Sequence, residues 1–226
     1  MKTLKLSIAG IGNIGSNLVK NISLFEEFII NKSLIKFRIV GISAKNKNKK
    51  RIFNIKNFKW YDNPLELITD SKPDVLVELI GEEDGISYKL IKNALKKKIH
   101  VVTANKALLA KHGNELFKLA DQNAVLLLFE GAIAGGIPIV RTIKHSLFLN
   151  KIKKISGILN GTTNYILSEM ENKNLTFKEV LNKAQKNGYA EVDPTNDVDG
   201  IDSAHKLSLL STLCFGSKIN LNNITY

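Results

Sequence analysis

Six residues, Gly10-Ile11-Gly12-Asn13-Ile14-Gly15, restrict this chain more than any other stretch, because a G-x-G-x-x-G turn here links an apolar run directly to a helical one. The run from Leu4 to Ala9 alternates loosely and reads as a buried strand, and helical periodicity follows from about Ser16 to Asn31. That context is what a bound dinucleotide requires. The first glycine makes the tight turn, the second admits a pyrophosphate to the backbone, and the third lets helix and strand pack closely, with phosphate at the helix N-terminus. A purely structural glycine turn is the plainer alternative.

The rest of the first ~140 residues repeats the alternation. Phe37 to Ser43 and Asp74 to Ile80 predict a second and a third strand, with a short helix opening at Asn63-Pro64 between them. Tyr88 to Lys98 and Ala107 to Asp121 predict helices, and His100 to Thr103 and Ala124 to Phe129 predict two more strands. Together these imply an α/β fold, a Rossmann-type doubly wound parallel sheet, followed by a second, smaller α+β domain. The expected division is 1–137 and 138–226. In the second part, helices are expected over Ile139 to Phe148, Thr163 to Glu171 and Ile201 to Cys214, and a strand over Lys154 to Leu159. Thr176-Phe177-Lys178-Glu179 is a capping box, so a further helix should run from Thr176 to Lys186.

The end of the second strand bears on which dinucleotide would fit. An acid there would bond the ribose 2′-hydroxyl of NAD, whereas cations suit the 2′-phosphate of NADP. Ser43-Ala44-Lys45-Asn46-Lys47 has no acid and two lysines, which favours NADP(H) over NAD(H).

Composition narrows the partners. The chain has 226 residues, 33 Lys+Arg against 21 Asp+Glu, and a net charge of +12. Such a balance raises nucleic-acid binding. Only Arg38, Arg51 and Arg141 carry the planar fork that reads guanine, however, and the densest basic run, Lys45 to Arg51, contains no aromatic on which a base could stack. No nucleic-acid partner is therefore expected. No run approaches the ~20 apolar residues of a membrane span, and Met1-Lys2-Thr3-Leu4 leads straight into a strand, so neither membrane partner nor signal peptide is expected. The single cysteine, Cys214, reads as a buried thiol, and a cytoplasmic location fits.

Against that basic background, Gly188 to Gly200 holds four carboxylates. A calcium loop fails, since alignment on Asp197, Asp199 and Gly200 puts Thr195 and Lys206 at its two end ligands. A solvated acidic turn is the alternative. In the following helix, Asp202 and Lys206 share one face four residues apart. The expected apolar stripe is Ile201, Ala204, Leu207, Leu210 and Cys214, with the charged edge about 100° round from it and half-buried. A cleft holding carboxylates and an ammonium suits a zwitterionic amino-acid substrate, and a helix-surface ion pair is the bland alternative.

Taken together, the chain resembles the homoserine dehydrogenases. The segments that carry the resemblance are Gly10 to Gly15, Val77-Glu78-Leu79-Ile80-Gly81, Thr103-Ala104-Asn105-Lys106, Glu130 to Pro138, Gly157 to Tyr165, and Gly188-Tyr189-Ala190-Glu191 through Asp197, Asp202 and Lys206. The resemblance implies NAD(P)H-dependent reduction of L-aspartate 4-semialdehyde to L-homoserine in amino-acid biosynthesis. It makes Lys206 the proton donor and places Lys106 between nicotinamide and substrate. Catalysis would then rest on Lys206, Lys106 and Asp202, and substrate binding on Glu191, Asp197, Asp202 and Thr162. Gly10, Ile11, Gly12, Asn13, Ile14, Gly15, Thr103 and Lys106 would hold the cofactor. A monovalent cation, Na+ or K+, would sit on Glu130 and main-chain oxygens of Ile133, Gly135 and Ile137, and a homodimer would be usual.

Three departures from the family pattern stand out. Glu82-Glu83-Asp84-Gly85 replaces a second glycine, Val192 replaces a frequent proline, and the sequence stops at Tyr226 where the family continues. The last leaves a second expectation beside the enzyme: a shortened dinucleotide-binding relative without activity.

Overall fold

The computed structural model describes residues 1–226, which divide into two compact units, Met1–Ala132 and Ile133–Tyr226. The first is built on β1 (Lys2–Ala9), α1 (Asn13–Leu24), α2 (Glu26–Ser33), β2 (Ile35–Ser43), α3 (Glu66–Thr69), β3 (Val75–Glu78), α4 (Ile86–Lys96), β4 (His100–Thr103), α5 (Lys106–Gln122) and β5 (Leu127–Leu128). The five strands form one sheet in the order β2-β1-β3-β4-β5, and every pairing is parallel. The direction of winding reverses between β1 and β3, so their carboxyl ends flank the crevice where open α/β sheets bind ligands. Ile8, Ile11, Val19, Ile42 and Val77 form a core cluster beneath that crevice.

Two elements of this unit depart from expectation. The single helix expected over Ser16 to Asn31 is two, separated at Phe25, whose own N–H still bonds Asn21 O at 2.9 Å. Glu26 and Glu27 occupy the first turn of α2, where negative charge favours a new N-terminus. The last strand starts later than Ala124 because Ala124 takes φ +54° and Val125 N–H bonds Ala120 O, closing α5 first.

The second unit is helical. It contains α7 (Ile139–Arg141), α8 (Gly161–Lys173), α9 (Phe177–Lys186), α10 (Thr195–Val198) and α11 (Ile201–Phe215), while α6 (Glu130–Ile133) spans the point of division. Ile166, Val180, Ala184 and Ala190 are its core. The strand expected over Lys154 to Leu159 is absent: no other strand lies in this unit, and an extended segment without a neighbour to pair with forms no ladder. The helix expected over Ile139 to Phe148 is α7 followed by a π-type turn, Thr142–Ser146. There Thr142 Oγ1 donates to Pro138 O at 2.7 Å, the back-bonding that loosens a helix. No helix is long and apolar enough to cross a membrane.

The capping box of α9 is complete, with Thr176 Oγ1 accepting Glu179 N–H and the Glu179 carboxylate accepting Thr176 N–H at 2.8 Å. Thr176→Ala is expected to cost about 1 kcal/mol, read as a lowered denaturant midpoint at unchanged slope. The bonds to Thr176 hold the Glu179 carboxyl below its ordinary range. Its stabilising contribution is therefore complete above the usual carboxylate pKa and is lost as pH falls through the lower folded value. Acid titration of the wild type should show this loss and the Thr176→Ala chain should show less of it.

Candidate active site

The glycine turn has the geometry that its residue types demand. Gly10 sits at φ +93°, and a Cβ there would lie 2.4 Å from both Leu79 C and Leu79 O, so β1 and the end of β3 meet where only glycine fits. A Cβ on Gly15 would lie 2.1 Å from Gly10 O. By contrast, a Cβ on Gly12 would meet nothing within 4 Å, leaving backbone open to a ligand. No side chain caps the start of α1 and no acid stands in its first turn, so the amide groups around Asn13, Ile14 and Gly15 present an uncompensated positive helix end. Ile11 is buried beneath them and Ser16 Oγ donates to its carbonyl at 3.1 Å. These residues fit a pyrophosphate.

At the end of β2, Ser43 is 1% exposed and its hydroxyl has no partner, while Ser43 O accepts Gly10 N–H at 2.9 Å. Lys45 and Lys47 are exposed just beyond it. Arg51, at the end of the basic run, organises this loop. Its guanidinium donates to Ile11 O at 3.2 Å, to Asn46 O at 2.6 Å, and to Lys47 O and Lys49 O at 3.0 and 2.8 Å. It also stacks over Trp60 at 5.4 Å. The basic run is thereby stapled to the glycine turn.

Beyond β3 and β4, two of the three acidic residues Glu82, Glu83 and Asp84 are paired within their own unit, Glu83 and Asp84, while Glu82 is held through its main-chain oxygen, which accepts Asn105 Nδ2 at 2.7 Å. Lys111 of α5 ion-pairs with Glu83 at 3.0 Å and with Asp84, and His112 Nε2 lies 2.7 Å from Asp84 Oδ1. Lys111, then His112, holds the Asp84 carboxyl below its ordinary range. Thr103 is buried at the end of β4, Asn105 caps α5 through Leu108 N–H, and Lys106 is the first residue of that helix.

In the second unit, Asp202 and Lys206 lie on one side of α11, 2.7 Å apart. Asp202 is 5% exposed, more buried than the half-buried edge expected, and Lys206 Nζ also donates to Leu159 O at 2.7 Å. The expected apolar stripe is accordingly displaced: Ala204 and Leu210 are buried, Ile201 and Leu207 are half-buried, and Ser208 and Leu209 join Asp202 inside. Anchoring of the charged edge inside the unit turns the helix that way. Cys214 is likewise half-buried instead of buried, although burial still pushes its thiol pKa up.

Asn160, which the sequence did not single out, ties this site together. Its Nδ2 donates to Asp197 Oδ1 at 2.7 Å and to Asp202 Oδ2 at 3.0 Å, while its Oδ1 caps α8 by accepting Thr163 N–H at 2.8 Å. Asparagine before a helical Gly-Thr-Thr run is an N-cap signal, but nothing local announces its second role. Asn160, Thr162, Tyr189, Asp197, Asp202 and Lys206 line a pocket of about 510 Å³. Thr162 Oγ1 donates to Tyr189 O at 2.9 Å. Glu191 is not among the lining residues: it is exposed, and its main-chain oxygen accepts Gln185 Nε2 at 3.1 Å. Of the residues proposed for a cation, Glu130 opens α6, Ile133 ends it, Gly135 turns at φ +60°, and Ile137 O accepts Ile139 N–H at 2.8 Å. No cluster of three or more His, Cys, Asp or Glu side chains could hold a metal.

A doubly wound parallel sheet with an open glycine turn at its switch point defines a Rossmann-type nucleotide-binding protein. Residues 10–130 match the family model "Homoserine dehydrogenase, NAD binding domain", and residues 138–226 match the model "Homoserine dehydrogenase". The chain belongs to the homoserine dehydrogenase family. It is 39% identical over 222 residues to a homoserine dehydrogenase of Neisseria gonorrhoeae, covering 98% of this chain and 51% of that protein. With that of Pseudomonas aeruginosa it shares 41% identity over 216 residues, covering 96% and 49% respectively. The solved homoserine dehydrogenase from Thiobacillus denitrificans superposes with a TM-score of 0.90 at 38% identity, over 98% of this chain and 51% of that one. A hyperthermophilic archaeal homoserine dehydrogenase solved in complex with NADPH superposes with a TM-score of 0.81 at 26% identity, over 96% and 71%. The chain thus spans about half the length of the curated relatives it matches.

Proposed function

We propose that this chain reduces L-aspartate 4-semialdehyde to L-homoserine with NADPH. The observation that carries the proposal is the pocket of the second unit, in which a buried carboxylate and a lysine ammonium are held 2.7 Å apart by neighbours that fix both. When bound, the nicotinamide supplies the hydride, which forms the new C–H bond at the aldehyde carbon.

The protein's own task is to hold the aldehyde and to manage charge on its oxygen. Lys206 donates a hydrogen bond to the developing alkoxide and passes its proton there. Asp202 and Leu159 O fix the ammonium in place, and Asn160 orients Asp202 and Asp197 toward the same pocket. Asp197, Asp202 and the Thr162 hydroxyl bind the polar groups of the amino-acid substrate, and Glu191 offers a further carboxylate for its ammonium from the exposed segment after Tyr189. Thr103 and Lys106 serve the nicotinamide end of the first unit, and residues Gly10 to Gly15 take the pyrophosphate. Lys45 and Lys47, on the loop that Arg51 staples, favour the 2′-phosphate of NADP over NAD. Glu130, with main-chain oxygens of Ile133, Gly135 and Ile137, is assigned to a monovalent cation.

The test is to give the 226-residue chain NADPH or NADH together with the aldehyde. Consumption should depend on aldehyde and be faster with NADPH at equal concentration. A folded chain that binds neither dinucleotide overturns the proposal.

A further inference from the structure

Glu78 ends β3 and is 0% exposed, a carboxylate in the floor of the crevice with three hydrogen-bond donors and no lysine or arginine among them. Its Oε1 accepts Ile80 N–H at 2.8 Å and Gly81 N–H at 3.3 Å, and its Oε2 accepts the Thr103 hydroxyl at 2.6 Å. Thr103 Oγ1 in turn accepts Asn105 N–H at 3.0 Å. Asn105 then caps α5 through Leu108 N–H at 3.1 Å and donates from Nδ2 to Glu82 O at 2.7 Å. A buried carboxylate is costly to keep, so what it alone can do at this point matters.

A carboxylate only accepts. The Thr103 hydroxyl owns one proton and gives it to Glu78, which leaves its lone pairs for Asn105 N–H and fixes the direction of every later bond. A glutamine could still accept Ile80 and Gly81 N–H through its oxygen, but its amide would offer N–H to Thr103 Oγ1. The Thr103 proton would then lack an acceptor and compete for the space of Asn105 N–H. The strand end that carries Glu78 also meets the glycine turn, because the next residue, Leu79, donates its N–H to Ala9 O at 2.7 Å and is the residue a Gly10 Cβ would strike.

We propose that Glu78 is a positioning residue for the reaction, its buried carboxylate setting the direction of the Thr103–Asn105 hydrogen-bond chain and so fixing both the Ile80–Gly81 turn and the α5 N-terminus that carries Lys106. The functional half of this proposal rests on the role given to Lys106 above.

The experiment compares the wild-type chain with Glu78→Gln and Thr103→Val, first without cofactor. Amide hydrogen exchange at Gly81, Asn105 and Leu108 should accelerate about tenfold in Glu78→Gln, with α9 and α11 unchanged. NADPH titration should give about tenfold weaker binding, and kcat should fall with the KM for the aldehyde unaltered. Because both substitutions break one chain of bonds, Thr103→Val added to Glu78→Gln should change exchange little further. If Glu78→Gln fails to fold, Thr103→Val, which cuts the same chain without touching a charge, decides the exchange result. Exchange at these amides and NADPH affinity both within twofold of wild type would overturn the proposal. Absence of NADPH binding by the wild type would instead overturn the functional reading and leave the exchange comparison to decide the positioning role.

Discussion

Replacing Lys206 by alanine is expected to lower turnover by about 100- to 10,000-fold, the range a positioned proton donor supplies, while NADPH affinity stays within a few-fold of wild type. The separation follows from where the residue sits, since Lys206 lies in the pocket of the second unit and the glycine turn lies in the first. Alanine would also leave Asp202, 5% exposed, with Asn160 Nδ2 but without its cation at 2.7 Å. Lost stability could then be mistaken for lost chemistry, since stranding one member of a buried pair costs about 3–5 kcal/mol. Lys206→Arg separates the two. Arginine keeps the charge beside Asp202 but does not release a proton near neutral pH, so it should restore much of the melting temperature and little of the turnover. Wild-type kcat in Lys206→Arg would show that Lys206 acts as a charge and not as the donor.

Gly10→Ala is expected to be the most disruptive single methyl in the first unit. The added carbon would lie 2.4 Å from two backbone atoms of Leu79 and 2.6 Å from Ile80 N, at a φ of +93°. Backbone cannot swing aside as a side chain can, and the two penalties together should remove about 3 kcal/mol or more, a sizeable part of a typical domain's stability. Thermal melting should show a clear loss, and NADPH binding should disappear with the turn. Gly12→Ala is the matching control, because its Cβ meets nothing within 4 Å and φ is −73°. That variant should melt near wild type and still bind NADPH more weakly, since the methyl intrudes where the pyrophosphate would lie. Equal stability of Gly10→Ala and Gly12→Ala would contradict the account of the turn.

What could be read from the sequence was what local chemistry determines. The glycine turn followed from three glycines in a strand-to-helix context, and the α9 start followed from Thr176 and Glu179 alone. The parallel sheet followed from alternating patterns, each long enough to average over local irregularity. Apart from local breaks such as those at Phe25 and Ala124, the failures depended on partners distant in sequence. Lys154 to Leu159 has strand-like residues but no neighbouring strand in its unit, and pairing cannot be read from one segment. The buried face of α11 was misplaced because Asn160 and Leu159 O, more than forty residues earlier, draw the Asp202–Lys206 edge inward. Glu78 and Asn160 were overlooked for the same reason. A glutamate ending an apolar strand and an asparagine heading a helix have ordinary local explanations, and only the fold brings their second partners to them. The acids after β3 illustrate the same dependence on distant partners: Glu83 and Asp84, part of a departure from the family pattern, are met by Lys111 and His112 of α5.

The central claim is that this chain joins a nicotinamide-binding unit to a pocket that protonates an amino-acid alkoxide. It is tested most directly by following the hydride itself. The chain is incubated with L-aspartate 4-semialdehyde and NADPH carrying deuterium at the transferable nicotinamide position, and the product is analysed by mass and NMR. The account predicts L-homoserine with one deuterium on the carbon bearing the new hydroxyl, formed by the wild type and nearly abolished in Lys206→Ala. A folded, NADPH-binding wild-type chain that forms no deuterated homoserine would contradict it, and would leave a nucleotide-binding protein without this chemistry.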